Sequence, residues 1–225
     1  MFSEASPSLY IKGGKSKFNI ILNVLIALIA LVLALELLFV THYTGIYVVD
    51  VSMTPTLNGA PDENSPGGDY VYVNRSAKPD YGDIVVVTRD NDSPLIKRVI
   101  AFGGDSVKII EGKVYIKYKG NAEYNEDPIE ESYIDEERNH PDRNINNFPQ
   151  VGGVVKEDGY FVEEGKVFLL GDNRDYSSDS RQNGAFDQSK IYGVVTDWSM
   201  KTKKFSSAVH KFFNFDLPKF FGVKK

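Results

Sequence analysis

Cysteine is absent from the 225 residues, which removes disulfide frameworks, thiolate zinc sites and cysteine nucleophiles together. Histidine is scarce. His42 stands beside an apolar run, His140 in an acidic stretch and His210 near the C-terminal end, and no two share a ligand spacing. Reactive chemistry is left to serine, threonine, lysine, tyrosine, carboxylates and those isolated histidines, and no metal or cofactor is expected. A strong charge of one sign is missing as well: 26 Lys and Arg against 31 Asp and Glu leave a formal −5, too balanced and too acidic for a dedicated nucleic-acid binder, so no nucleic-acid partner is expected. With 42% apolar and 25% charged residues, disordered and fibrous classes do not fit.

Charge is nevertheless unevenly spread. Between Asn121 and Gly165 there are 13 acidic and 3 basic residues, whereas seven lysines and a single acidic residue, Asp216, follow Met200. One long apolar run, Phe18–Val40, is interrupted only by Asn19, Asn23 and Glu36. Its length suits a helix crossing roughly 30 Å of hydrocarbon. A cleavable leader has a shorter apolar region and a small-x-small site; this run ends in Leu-Leu-Phe-Val, so an uncleaved single transmembrane helix is expected over 18–40. Glu36, near its outer end, is expected to reach the headgroups or a neighbouring group. Lys12, Lys15 and Lys17 precede the run with only Glu4 against them, and no Lys or Arg follows it before Arg75. Residues 1–17 are then a cytoplasmic tail, and everything after Val40 lies on the outer face of the cell membrane.

The exported portion reads as mainly β. Short runs rich in Val, Ile and Tyr recur at Ile46–Val51, Tyr70–Asn74, Ile84–Thr88, Leu95–Phe102, Val107–Ile110, Val114–Tyr118, Tyr160–Val162, Val167–Leu170 and Ile191–Trp198, with few or no helices. Glu111-Gly112 predicts a tight hairpin, because glycine supplies the positive φ such a connection needs. The expected organisation is an all-β domain in two parts, 41–120 and 166–200, separated by an acidic insertion or small cap over 121–165. The charge of that insertion either repels acidic surfaces or solvates a loop, and no chemistry is assigned to it. The tail, 201–225, alternates aromatic pairs with lysines, a pattern that suits the membrane surface and, almost as well, a short helix packed on the domain.

Three segments could carry chemistry. Ser52-Met53-Thr54-Pro55-Thr56-Leu57 follows an apolar strand, and Pro55 forces a turn, so Ser52 sits at a strand end; a serine there commonly just bonds nearby backbone. In Leu95–Phe102, strand alternation puts Lys97 on one face with Leu95, Val99 and Ala101, and Ile96, Arg98 and Ile100 on the other. An amine held on that apolar face has a lowered pKa and can act as a neutral base; on an edge strand it snorkels to water instead. Gly171–Arg181 is the densest polar run. Starting a calcium-loop template at Asp172, Asn173 or Asp175 leaves no glycine at the sixth position and no glutamate at the twelfth, so a network of hydroxyls and ion pairs supporting a site is the better reading.

These segments, in this order after one anchor, resemble type I signal peptidases, the membrane-bound serine proteases that remove signal peptides from exported proteins. The resemblance covers the anchor, Ser52–Leu57, Tyr81–Val86, Lys97–Asp105 and Gly171–Arg181. It implies that Ser52 is the nucleophile and Lys97 the general base, a dyad without histidine or aspartate. It further implies that Ser177 hydrogen-bonds the lysine amine, that Asp172 partners Arg98, and that Asp179 with Arg181 braces the site. Met53, Leu57 and Ile96 are implied to line shallow pockets for small residues, as in Ala-x-Ala. The implied partners are preprotein signal peptides and membrane lipid.

Two departures stand out. Asp50, two residues before the implied nucleophile, stands where members of the family carry a serine or glycine; an ionised carboxylate there would oppose an oxyanion, so either Asp50 turns away or the strand register differs, and only the Ser52 N–H is carried over as a donor. Gly103 replaces a usual proline, which is expected to loosen a turn. The alternatives are a catalytically idle, anchored assembly or chaperone module of the same fold, and a calcium-dependent anchored binding domain.

Overall fold

A computed structural model describes residues 17–62, 65–89, 94–140, 155–156 and 159–213. The tail beyond 213, the segment before Lys17 and the middle of the acidic stretch lie outside the described residues.

The apolar run forms helix α1, Lys17–His42, apolar on every face and with no buried residue. It is the one helix among the described residues long and apolar enough to cross a membrane. The chain from Tyr43 onward is a separate compact unit.

That second unit is mainly β, as the sequence predicts. Its larger sheet contains β1 (Tyr43–Tyr47), β2 (Tyr70–Asn74), β3 (Ile84–Thr88), β4 (Pro94–Phe102), β9 (Lys166–Leu170), β10 (Phe186–Asp187) and β11 (Ile191–Val195). They run in the order β1-β2-β11-β3-β4-β9-β10, every pairing antiparallel. A smaller antiparallel sheet has the order β6-β5-β8-β7, from β5 (Ser106–Ile110), β6 (Lys113–Lys117), β7 (Val155–Lys156) and β8 (Gly159–Phe161). β3 reads Ile-Val-Val-Val because both its faces are covered: Ile84 and Val86 pack with Val48, Met53 and Leu57, while Val85 and Val87 pack with Val99, Val167 and Leu169.

Several expectations shift. Strand β1 ends at Tyr47 rather than Val51; Val49 keeps one parallel bridge to Ala60, and Asp50 adopts φ 78°, which no strand continues through. Alternation fails past Val99 because a bulge in the β4–β9 register puts Ile100 and Ala101 together in the core shared with the small sheet, whereas Val99 packs with Leu169. Trp198, expected to end a strand, instead opens helix α3 (Asp197–Phe213), preceded by a one-turn helix α2 (Ser180–Asn183). Helix α3 packs on β2: Ser207 Oγ accepts the Tyr70 N–H at 2.8 Å, and the His210 ring stacks on Tyr70. The described part of the tail is thus a helix seated on the domain. The acidic stretch is not set apart either, since β8 pairs with β5 and Tyr160 is core. Gly103 admits the Glu163–Gly165 backbone, which a Cβ there would meet at 2.7 Å, so its missing side chain serves close packing rather than a loose turn.

The Glu111-Gly112 connection has φ values of 50° and 77°, joining β5 and β6 in the two-residue hairpin the sequence predicts.

Candidate active site

Ser52 and Lys97 come from different elements. Ser52 lies in a turn after Asp50, where the Leu57 N–H closes back onto the Met53 carbonyl at 2.9 Å. Lys97 lies on β4, where its backbone pairs with Val85 of β3 and the pairing with β9 begins one residue later; its side chain is packed inside rather than reaching water and is 1% exposed. Its Nζ donates to Ser52 Oγ at 2.7 Å and to the Ile96 carbonyl at 2.9 Å. Burial pushes the amine from its ordinary 10.5 down to about 8, against the upward pull of Asp179, Asp50 and Asp172; Arg89 adds to the fall. A primary alcohol against a desolvated amine is the arrangement that base-assisted nucleophilic attack requires.

The loop after β9 holds the backbone at Ser52. Asn173, 2% exposed, donates its backbone N–H to the Ser52 carbonyl at 2.9 Å and its Nδ2 to the Val51 carbonyl at 3.0 Å. Gly171 lies so close beneath that a Cβ there would stand 2.1 Å from Ser177 Oγ and 2.5 Å from the Ser52 carbonyl oxygen. The Ser52 N–H has no acceptor among the described residues.

Two buried ion pairs surround this loop. Arg98 meets Asp172 through both Nε, at 2.9 Å, and Nη2, at 2.6 Å, and gives Nη1 to the Gly82 carbonyl. Arg181 grips Asp179 in the same bidentate way, at 2.9 and 2.8 Å. Complete burial pushes the Asp179 carboxyl upward, but the Arg181 guanidinium and the Gly171 N–H outweigh it and hold that carboxyl below the ordinary carboxylate range.

Two expectations need correction. Ser177 makes no bond to Lys97. Its hydroxyl is buried, lies near enough to Asp179 to lower that carboxyl's pKa, and completes no hydrogen bond of proper geometry. Met53 and Leu57, expected to line substrate pockets, are sealed in the core because the Ser52 turn folds them inward onto Val48, Val71 and Val73; only Ile96 keeps surface for a ligand. The Asp50 carboxylate turns along the chain to accept the Val51 N–H at 2.6 Å, in line with the first of the two alternatives for it.

Sequence reasoning missed Asn173, which it quoted only as part of a polar run, and the contribution of the acidic stretch. The Glu131 carboxylate pairs with the Arg174 guanidinium, and the Tyr133 ring lies 3.7 Å beneath that of Arg98. No spacing rule points to a contact across 43 residues.

With this geometry in hand, the comparisons are decisive on kinship. The family model described as signal peptidase, peptidase S26, matches residues 19–198, most of the chain. The chain belongs to this family. Among its curated relatives, the signal peptidase I of Rickettsia canadensis is 34% identical over 134 residues, covering 49% of this chain and 48% of the relative. That of Rickettsia rickettsii is 36% identical over 132 residues, covering 48% and 47%. The chain thus spans about half the length of these relatives. The crystal structure of a signal peptidase I from Enterococcus faecalis is 27% identical, covering 53% of this chain and 98% of that one, with a TM-score of 0.39.

Proposed function

We propose that this chain is a membrane-bound serine endopeptidase that removes N-terminal signal peptides from exported preproteins after small-x-small sites of the Ala-x-Ala type. Ser52 is the nucleophile and Lys97 the general base. The observation that carries the reading is the 2.7 Å contact between the Ser52 hydroxyl and an amine whose pKa burial lowers to about 8, within a chain of the signal peptidase family.

Neutral Lys97 takes the Ser52 proton as Oγ attacks the scissile carbonyl carbon. The Ser52 N–H faces the oxygen that becomes negative. Lys97 then returns the proton to the leaving amine as the C–N bond breaks, which frees the mature protein and leaves the signal peptide as an ester on Ser52. A water, deprotonated by the same amine, hydrolyses that ester. The Ile96 carbonyl holds the amine in place between steps. The Arg98–Asp172 and Asp179–Arg181 pairs fix the loop whose Asn173 grips the nucleophile's turn.

Substrate binding uses the flank of β4. Leu95, Ile96 and Lys97 pair with β3 alone, because the register with β9 begins at Arg98 opposite Leu170. An extended peptide adds there as a strand, beside the amine, with Ile96 contacting a small side chain. Helix α1 anchors the enzyme, with its lysine-flanked amino end in the cytoplasm and the β-domain outside.

Purified full-length protein in detergent or lipid vesicles, given a preprotein with an Ala-x-Ala site, is the test. Cleavage at that site, abolished by Ser52→Ala, is the expected result. No cleavage by the wild-type chain, or cleavage undiminished by Ser52→Ala, overturns the reading.

A further inference from the structure

Three parts of the acidic stretch reach the loop that holds the nucleophile, and they land on both sides of Asn173. Glu131 accepts from both terminal nitrogens of Arg174. Tyr133 lays its ring against Arg98, whose guanidinium holds Asp172, and donates its hydroxyl to Glu131 at 2.8 Å. His140 donates its backbone N–H to Asp175 at 3.0 Å and sets Nδ1 2.6 Å from the same carboxylate. Residues 172, 174 and 175 are thereby fixed, and Asn173 between them holds the Val51 and Ser52 carbonyls.

The geometry points to Glu131 as a positioning residue that acts through Arg174 and Asn173 on the Ser52 turn. This rests on the protease reading above. Arg174 has 2% of its side chain exposed and Glu131 10%, so the pair is largely shut off from water and neither charge is screened. The Arg174 Nε donates to the Gly171 carbonyl at 3.1 Å, and the Arg174 backbone carbonyl accepts from Arg181 at 2.9 Å, so Arg174 is joined by its side chain to the start of the loop and by its backbone to the end. Burial pushes the Arg174 guanidinium toward losing its proton, and Glu131 foremost among its neighbours more than restores it. Without that carboxylate Arg174 seeks water, and the backbone beside Asn173 moves with it. Ser52 Oγ then loses its fixed distance to Lys97, to which base-assisted attack is sensitive at the ångström level. Glu131, largely shut off from water, thus serves the reaction without touching substrate.

The test compares full-length wild type, Glu131→Gln, Asn173→Ala and the double variant. It reads kcat, KM and Tm on a preprotein, the rate at which a small activated acyl probe modifies Ser52, and hydrogen exchange over residues 51–57. Glu131→Gln is expected to lower kcat on the order of tenfold while KM changes less than about twofold. Probe modification slows in step, exchange in the turn speeds up, and Glu131→Asp recovers part of the rate. In the Asn173→Ala background, which loses the side-chain bond to Val51 but keeps the backbone bond to Ser52, Glu131→Gln is expected to add a loss clearly smaller than in wild type. Wild-type kcat in a folded Glu131→Gln enzyme overturns the inference, and so does a full tenfold loss repeated in the Asn173→Ala background. Where Glu131→Gln does not fold, Tyr133→Phe removes only the hydroxyl's bond to Glu131; a severalfold fall in kcat supports the inference and an unchanged kcat overturns it. If wild type cuts no preprotein, the protease reading fails by itself, while hydrogen exchange still decides whether Glu131 steadies the Ser52 turn.

Discussion

Lys97 Nζ stands 2.7 Å from Ser52 Oγ although 45 residues of chain separate them, and the lysine is 1% exposed. Burial is what lowers its pKa to about 8, so the fraction of neutral amine rises steeply across the mildly alkaline range. kcat/KM is expected to climb about tenfold per pH unit below about 7.5 and to level off above about 9. A profile flat between about 6 and 9 contradicts an amine base.

The same depressed pKa has a sign for stability. The unfolded chain binds more protons than the folded one between about 8 and 10.5, so this group's contribution to stability rises with pH through that window. Below it the buried ammonium costs about 3 kcal/mol. Lys97→Met is therefore expected to abolish activity yet raise Tm at pH 7, with the gain shrinking toward pH 10. Thermal unfolding at the two pH values checks this, and a lower Tm than wild type at pH 7 contradicts it.

Gly171 touches two parts of the site at once. Its substitution by alanine brings Cβ to 2.1 Å from Ser177 Oγ and 2.5 Å from the Ser52 carbonyl, where the backbone has no room to retreat. Gly171→Ala is expected to cost about 1–3 kcal/mol of stability and to depress kcat more than KM. Wild-type turnover in that variant contradicts a role for the close packing of this loop on Ser52.

Ser177 carries a buried hydroxyl without a hydrogen bond of good geometry. Its removal in Ser177→Ala is expected to leave stability unchanged or to raise it by up to about 1 kcal/mol. A fall in kcat under those conditions reports a bond to Lys97 formed only during turnover. A drop in Tm of several degrees shows instead that the hydroxyl already supports the resting fold.

Much of this was legible in the residues. The period-two pattern of Leu95–Phe102 places Lys97 among apolar neighbours, and the Val-rich runs mark the strands of the sheet. The bulge after Val99 was not legible, because one extra residue in a register depends on the partner strand β9 and leaves no compositional trace. For helix α3 the residues offered a packed helix only as one of two alternatives and missed its start, because its buried face is matched to the tyrosines of β2, and Trp198 and His210 make sense only once Tyr72 and Tyr70 stack against them. Met53 and Leu57 look the same in sequence whether they face a ligand or the core, and the inward fold of the Ser52 turn decides it. Glu131 escaped notice because nothing in the sequence separates a carboxylate that pairs inside the fold from the acidic residues around it.

The most direct measurement follows the mass of the intact protein as an activated acyl probe reacts with it at a series of pH values. One acyl group on Ser52 is predicted, added at a rate that rises with an apparent pKa of about 8 and that collapses in Lys97→Met. Acylation at wild-type speed in Lys97→Met, or an adduct on any residue other than Ser52, contradicts the dyad.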